Sequence, residues 1–188
     1  MASSYRLSLE NWLKDLDVNA NAVLDFGGSQ LPVDGRVKSW NVKTYIISDL
    51  KNPHKMSREV DFVFNLEVDH YKKEWRKFDV VFCLEVFEYV IRPDVALDNI
   101  ALSLKPGGVA YVSFPFVYPI HEPVEYDSLR YTETGIRRLA EEVGLVINKV
   151  HVRRPETPAV VQAYSAERLR AAKGHDHHVL GYIVELSK

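Results

Sequence analysis

The sequence contains a single cysteine, Cys83, and no long run of apolar residues. One thiol excludes an internal disulfide and a zinc site built from several thiolates. The uncharged stretch 107–120 contains two prolines and is shorter than the roughly 20 apolar residues that a membrane-spanning helix needs. Residues 1–12 lack the continuous apolar core of an export signal. We therefore expect a cytoplasmic protein without a membrane partner.

An excess of one charge is also missing. The 24 Lys and Arg residues nearly balance 26 Asp and Glu residues, and the formal net charge is −2. This balance disfavours nucleic acids and anionic membranes as partners. With 46% hydrophobic residues the 188-residue chain can form a full core, which excludes a disordered protein. We expect residues 1–188 to form one domain, with an N-terminal helical segment at 1–20 and a C-terminal strand pair at 145–188.

Short apolar segments alternate with helical patterns along the chain. The first five segments are almost uninterrupted by polar residues. Strands of this kind are covered on both faces, which is typical of a parallel sheet between two helix layers. The last two predicted strands follow one another directly, which indicates an antiparallel edge. The predicted strands are 22–26, 44–48, 61–66, 79–84, 109–116, 145–152 and 179–186.

Helix signals are unevenly distributed. Pro93 is suited to the first turn of a helix, Thr132 is a good N-cap and Gly144 is a good helix stop. Pro32 and Gly35 interrupt any helix between the first two strands, so we expect irregular segments or reduced, single-turn helices after the first and second strands. Further helices are predicted at 8–16, 70–77 and 166–173.

Candidate ligand-binding residues follow the first two strands, because ligands of open parallel sheets bind beyond the carboxyl ends of the strands. Asp25 ends the first strand and is followed by Gly27 and Gly28, where the backbone can turn sharply. Asp49 ends the second strand, and its carboxylate can accept hydrogen bonds from both hydroxyls of a ribose. Each feature alone would be an ordinary turn. Their offset of 24 positions (49 minus 25) is close to the roughly 20 residues typical of nucleoside-binding units.

The glycine pattern of dinucleotide-binding proteins is absent. Counted from Gly27, Ser29 and Pro32 occupy the places of the second and third glycines. This disfavours a nicotinamide-dependent oxidoreductase. An adenosine without a pyrophosphate requires less close approach to the main chain, and it remains compatible with the sequence.

Four stretches together resemble class I S-adenosylmethionine-dependent methyltransferases of the small, single-domain type. The resemblance implies an α/β Rossmann-like fold with seven strands in the order 3-2-1-4-5-7-6, strand 7 being antiparallel, between helix layers. It also implies S-adenosylmethionine as the cofactor. The stretches are AVLDFGGS at 22–29, FDVVFCLEVFEYV at 78–90, LKPGGV at 104–109, and YTETGI through EVGL at 131–145.

The resemblance further implies a cofactor site built from ten residues at the strand ends. These are Asp25, Gly27 and Gly28 for the methionine and ribose, Asp49 for the ribose hydroxyls, Leu50 against the adenine, Asn65 and Leu66 for the adenine edge and face, and Leu84, Glu85 and Val86 beside the sulfonium.

Two departures from the family pattern bear on the site. Asn65 stands where an acidic residue is usual, although its carbonyl oxygen can accept a hydrogen bond from the adenine amino group. The family often has Leu-Glu-His-Val after the fourth strand, and this chain has Phe-Glu-Tyr-Val at 87–90. If that histidine is catalytic in relatives, this chain must use another group.

The stretch 115–131 after the fifth strand is rich in ionisable and aromatic residues. It resembles a loop of methyltransferases encoded among surface-polysaccharide genes. That resemblance implies a small polar acceptor, such as a sugar or sugar-linked group, methylated on oxygen or nitrogen. His121 is the candidate catalytic base, because imidazole titrates near neutral pH. A surface histidine in a loop that only aligns the acceptor is the alternative.

Other interpretations remain open. A methyltransferase-like module without catalytic activity, acting through a protein partner, would also suit the degenerate glycine turn. His175, His177 and His178 lie close in sequence, but no further ligand is evident, so we expect a solvated loop and no metal. Because the chain leaves little room for a substrate domain, the acceptor is expected to contact the loops after the fourth and fifth strands, the N-terminal helix or a second subunit of a homodimer.

Overall fold

The computed structural model describes residues 4–72, 77–154 and 179–188. Three helices and seven strands are present in these ranges. In chain order they are α1 (Ser4–Lys14), β1 (Asp17–Phe26), β2 (Ser39–Asp49), β3 (Phe62–Val63), β4 (Phe78–Cys83), α2 (Pro93–Ser103), β5 (Leu104–Pro115), α3 (Glu133–Glu142), β6 (Val146–Arg153) and β7 (Gly181–Ser187).

The seven strands form one sheet in the order β3-β2-β1-β4-β5-β7-β6. The pairs β2–β3, β1–β2, β1–β4 and β4–β5 are parallel. Strand β7 runs antiparallel to both β5 and β6. The predicted strand order and the antiparallel edge are therefore confirmed.

Both faces of the sheet are covered, which explains the uninterrupted apolar strands. Successive side chains of a strand point to opposite faces. In β1, Leu24 joins the core cluster on the α2 and α3 side, whereas Val23 joins the cluster that contains Leu9 and Leu13 of α1. A strand segment that is buried on both sides is therefore apolar at almost every position.

The local helix signals act as predicted. Pro93 is the first residue of α2. The Thr132 hydroxyl caps α3 by accepting a hydrogen bond from the Gly135 amide at 3.1 Å. Gly144 follows α3 with a φ of 70°, in the left-handed region that favours glycine.

Several boundaries differ from the prediction. Strands β1 and β2 begin at Asp17 and Ser39, and among the described residues this extension pairs only with itself. On its exposed face Asn41 Nδ2 donates to Asn19 Oδ1 at 3.0 Å, whereas Val18 and Trp40 belong to the face that packs against the core. Polar and apolar residues therefore alternate here, and an uninterrupted apolar run does not mark such a segment. Helix α1 covers residues 4–14 instead of 8–16.

Strand β3 is shorter than predicted, because Asn65 closes a turn directly after it. The Asn65 amide donates to Asp69 Oδ2 at 2.7 Å, and Asn65 Oδ1 accepts from the Glu67 amide at 3.1 Å. These local bonds compete with the sheet ladder and end the strand at Val63.

The connections 27–38 and 50–61 are irregular and contain not even the single helical turn that was the other expectation for them. Of the predicted helices, the one at 166–173 and part of the one at 70–77 lie outside the described residues, as does the histidine group at 175–178. No helix in the described ranges is long and apolar enough to cross a membrane.

Candidate functional site

Two adjoining cavities lie at the carboxyl ends of β1, β2 and β4. The small cavity has a volume of about 50 Å³ and the large cavity about 600 Å³. Gly27, Gln30 and Glu85 line both of them. The structure brings all ten predicted cofactor residues to these cavities: Asp25, Gly28 and Leu84 line the small one, Asp49, Leu50, Asn65, Leu66 and Val86 line the large one, and Gly27 and Glu85 line both.

The glycine turn after β1 is constrained by neighbouring protein atoms. Gly27 has a φ of 75°, and a Cβ atom added to it would lie 2.4 Å from Val86 Cγ2. A Cβ atom on Gly28 would lie 2.4 Å from the carboxyl carbon of Asp25. Both contacts are far shorter than side chains tolerate. Gly27 therefore allows the turn after β1 and the loop after β4 to approach closely, and Gly28 leaves room for the Asp25 carboxyl group.

Asp25 organises this turn from a buried position. Its Oδ2 accepts hydrogen bonds from the Tyr45 hydroxyl at 2.6 Å and from the Val33 amide at 3.1 Å. Burial raises the pKa of Asp25 to about 6, although the two hydrogen bonds oppose the shift. Asp25 thereby ties the connection 27–38 to β2.

Two guanidinium groups line the small cavity. Arg6 of α1 and Arg36 of the connection 27–38 both hydrogen-bond to Glu10 Oε1, each at 2.7 Å. Glu10 therefore holds the two cations side by side. Planar guanidinium groups in such a place are suited to binding a carboxylate.

Asp49 ends β2 at the wall of the large cavity. Its Oδ2 accepts a hydrogen bond from the Ser29 hydroxyl at 2.5 Å, and its Oδ1 accepts one from the Leu50 amide at 2.8 Å. An ionised carboxylate offers about four acceptor positions. Asp49 can therefore bind ligand hydroxyls in addition to these groups.

The rest of the large cavity combines apolar surface with one amide. The side chain of Leu50 is 47% exposed and offers a face on which a ring can pack. Leu66 is buried, so that only a small part of it reaches the cavity. Asn65 Oδ1 accepts one hydrogen bond and, with two lone pairs, can accept a second one.

Glu85 separates the two cavities and has a left-handed φ of 58°. Its Oε1 accepts hydrogen bonds from Arg153 at 2.5 Å and from the Ser113 hydroxyl at 3.0 Å, while the Tyr118 hydroxyl donates to Oε2 at 3.2 Å. Burial raises the pKa of Glu85, but the Arg153 charge and hydrogen bond outweigh burial and leave the pKa below its ordinary value. Glu85 is therefore ionised at neutral pH.

His121 belongs to the loop after β5 and contacts the loop after β4. Its Nδ1 is 2.8 Å from the Tyr89 hydroxyl, and its Nε2 is 3.6 Å from Oε1 of the buried Glu88. The His121 amide donates to Asp127, which is paired with Arg130. Tyr89 lines the large cavity, whereas His121 stands behind it.

Glu88 and His121 shift each other's titration. Burial raises the pKa of Glu88. The Glu88 carboxylate in turn raises the pKa of His121, against an opposing effect of partial burial. The pair therefore favours a proton on the imidazole up to a higher pH than a solvated histidine.

Residues 10–172 match the sequence model of a family described as a methyltransferase domain. The chain belongs to this family. It is a class I S-adenosylmethionine-dependent methyltransferase, as the motifs at its strand ends implied. No curated protein matches it in sequence.

Solved structures with this fold include several methyltransferases. One from Haloferax volcanii, in a complex with the Trm112 methyltransferase activator, has a TM-score of 0.65 and 16% identity, with 97% of this chain and 89% of that chain covered. One from Mesorhizobium loti has a TM-score of 0.63 and 14% identity, covering 100% and 99%. One from Bacillus halodurans has a TM-score of 0.58 and 16% identity, covering 96% and 95%. At these identities the likeness concerns the fold.

The candidate site also contains residues that the sequence analysis did not single out. Four of them reach it through contacts between distant parts of the chain, which no spacing in the sequence indicates. Glu88 and Tyr89 did carry a signal, because they belong to the segment that departs from the family motif. The residues are Arg6, Arg36, Tyr45, Glu88, Tyr89 and Arg153. In the described ranges no group of His, Cys, Asp and Glu is arranged to hold a metal ion.

Proposed function

We propose that the methyltransferase transfers a methyl group to an oxygen or nitrogen of a small polar acceptor, such as a sugar or sugar-linked group, with His121 as the final acceptor of the proton. The observation that carries this proposal is the order of side chains along the two cavities. Charged groups line the small cavity, Glu85 lies at the junction, and Asp49, Leu50 and Asn65 line the large cavity.

The residues present fit S-adenosylmethionine. Its methionine end carries a carboxylate and an ammonium group, which match Arg6, Arg36 and Asp25 of the small cavity. Its ribose and adenine match Asp49 and Asn65 of the large cavity. When bound, the cofactor supplies an electrophilic methyl group on a positively charged sulfur.

The acceptor would occupy the part of the large cavity bordered by Tyr89, Glu125 and Tyr126. Hydroxyl and carboxylate groups there can orient a polar molecule, and the aromatic rings offer flat surfaces for a sugar ring. Holding the acceptor in line with the methyl group is the main contribution to the rate. An oxygen or nitrogen that gains a methyl group must also lose its proton, for which the His121–Glu88 pair lies nearby.

Cofactor binding is the first test. Calorimetry with S-adenosylmethionine and S-adenosylhomocysteine should show binding of both. If neither binds, the proposed activity is wrong and a non-catalytic module acting through a protein partner becomes the better explanation.

The second test addresses His121. With labelled S-adenosylmethionine and a panel of monosaccharides, phenols and alkylamines, His121→Ala should lose about 10²–10⁴-fold in kcat and keep its affinity for S-adenosylhomocysteine. His121→Gln should be nearly as impaired. His151→Ala is the matched control, because His151 packs against Trp12 on the α1 side of the sheet. A raised KM with kcat retained would show that the loop only aligns the acceptor.

A further inference from the structure

We propose that Tyr89 is the catalytic residue that contacts the acceptor, and that its hydroxyl relays the acceptor's proton to His121. This inference rests on the proposed function and names the route of the proton within it. Tyr89 occupies the position where the resembled motif often has a histidine, and the structure places its hydroxyl against the histidine of a different loop.

The first argument is position. Tyr89 lines the large cavity beside Val86, Val90 and Tyr126, and His121 does not. The Tyr89 hydroxyl and His121 Nδ1 are 2.8 Å apart, a normal hydrogen-bond length. An acceptor in the cavity therefore meets the tyrosine hydroxyl before it can reach the imidazole.

The second argument is the state of the imidazole. His121 Nε2 is buried, faces Glu88 Oε1 at 3.6 Å and has no hydrogen-bond partner within the described residues. An N–H on Nε2 would point to the Glu88 carboxylate. The neutral ring then carries its lone pair on Nδ1, 2.8 Å from the Tyr89 oxygen. The Tyr89 hydroxyl also donates to the Glu122 carbonyl oxygen at 2.9 Å, and Nδ1 lies 3.2 Å from the same oxygen. The relay therefore requires the hydroxyl hydrogen to turn from this carbonyl to Nδ1. Nδ1 is thus the nitrogen that can accept a proton, and Tyr89 is its neighbour on the cavity side.

The third argument concerns the tyrosine itself. Burial raises the pKa of Tyr89, and the nearby Glu88 and Asp127 charges add to this shift. Tyr89 therefore does not form a stable phenolate near neutral pH. It can take the acceptor's proton only while it gives up its own.

The proton balance is complete without a further reactant. The O–H or N–H bond of the acceptor breaks as the acceptor gains the methyl group, and the proton binds the Tyr89 oxygen. At the same time the original Tyr89 O–H bond breaks and a bond from that hydrogen to His121 Nδ1 forms. The new bond of the acceptor to the methyl carbon would replace the methyl–sulfur bond of the sulfonium, whose electron pair would stay on the sulfur. The product is a neutral tyrosine and an imidazolium beside Glu88.

Charged groups surround His121 on both loops. Glu88 from the loop after β4 is the main one, followed by Asp127 on its own loop, which is paired with Arg130. The other titratable neighbours are Tyr89, Tyr118, which packs edge-on at 4.8 Å, Glu85 behind Tyr118, and Glu122, which is approached by His54 and Lys55.

The first experiment needs no acceptor. Nitrogen-15 NMR of the imidazole rings, recorded with S-adenosylhomocysteine added, reports the tautomer and the titration of His121. We expect the neutral ring to carry its proton on Nε2, and we expect Glu88→Gln to lower the pKa of His121. A neutral ring protonated on Nδ1 would overturn the relay, because Nδ1 could then not accept a proton from Tyr89.

The second experiment is kinetic and uses the acceptor panel described above. Tyr89→Phe keeps the ring but removes the hydroxyl, so kcat should fall about 10²-fold or more, while the affinity for S-adenosylhomocysteine stays unchanged. Tyr89→Phe combined with His121→Ala should be no slower than the slower single variant, because residues that act as one unit are not additive. Tyr111→Phe is the matched control, since Tyr111 packs against Trp12 and Phe82.

The outcomes separate this inference from the proposed function. If the wild-type protein binds the cofactor and methylates an acceptor, but Tyr89→Phe retains turnover within about twofold, the relay is wrong and the methyl transfer stands. If the two single losses multiply in the double variant, the residues act independently and the relay is also wrong. If the wild-type protein binds no cofactor, the proposed function fails first.

Discussion

The two cavities differ in how their polar groups are used. In the small cavity, Asp25 is bonded to Tyr45 and Val33, and Arg6 shares Glu10 with Arg36. In the large cavity Leu50 is half exposed and carboxylate and amide oxygens retain acceptor capacity. The small cavity is thus preorganised by hydrogen bonds within the protein, whereas the large cavity can adapt to its ligand. The three predictions below test this difference.

Gly27→Ala should have the largest effect, because Gly27 borders both cavities. A left-handed φ costs an alanine about 1–2 kcal/mol, and overpacking against Val86 adds about 1–3 kcal/mol. We expect the free energy of unfolding in urea to fall by about 2–5 kcal/mol. Gly107→Ala is the matched control, since Gly107 has a φ of 77° and open space around it. Equal losses in the two variants would show that the contact with Val86 is unimportant.

Asp25→Asn tests the preorganised small cavity through the pH dependence of the free energy of unfolding. Because the folded pKa of about 6 lies above the ordinary value of 3.8, the folded state binds the proton more tightly. The stabilisation from this proton is complete below about pH 4 and is lost as the pH rises through 6. The shift corresponds to about 3 kcal/mol. Between pH 4 and 7, the free energy of unfolding of Asp25→Asn should increase relative to that of the wild-type protein as the pH rises.

The control for this titration is Tyr45→Phe. Loss of the Tyr45 hydroxyl removes a bond that favours the ionised carboxylate, so the pH dependence should move to higher pH. A difference between Asp25→Asn and the wild-type protein that is constant over this range would contradict the assignment.

Asp49→Ala tests the large cavity, and its effect on the free energy of ligand binding should be the smallest of the three. Hydrogen bonds to a charged group contribute about 1.5–3 kcal/mol, so the affinity for S-adenosylhomocysteine should fall about tenfold or more while the fold is retained. Ser29→Ala removes only the hydroxyl bonded to Asp49 and should leave the affinity unchanged or raise it. An unchanged dissociation constant for Asp49→Ala, measured by calorimetry, would place the ribose elsewhere.

The sequence was most informative where the structural cause is local. Pro93, Thr132 and Gly144 act within one helical turn, and strand segments buried on both faces are apolar at almost every position. The ten cofactor residues could be predicted to lie together because parallel strands place their carboxyl ends at one edge. Their roles toward the cofactor remain predictions.

Contacts between distant parts of the chain could not be predicted. Tyr89 and His121 are 32 positions apart, and Glu85 and Arg153 are 68 positions apart. Such pairs depend on loop packing, which leaves no periodic pattern in the sequence. The extension of β1 and β2 was missed because its residues alternate between a core-facing apolar face and an exposed polar face with hydrogen bonds such as Asn41–Asn19, so that no uninterrupted apolar run marks it.

That extension of β1 and β2 also lies apart from both cavities. At 17–20 and 39–42 the two strands pair only with each other among the described residues, at the end of the sheet opposite the cavities. Because only one face of this two-stranded segment packs against the core, it should open locally and exchange its amide hydrogens before the centre of the sheet does. It therefore offers a place where a fluorophore or a surface tether can be attached without disturbing either cavity.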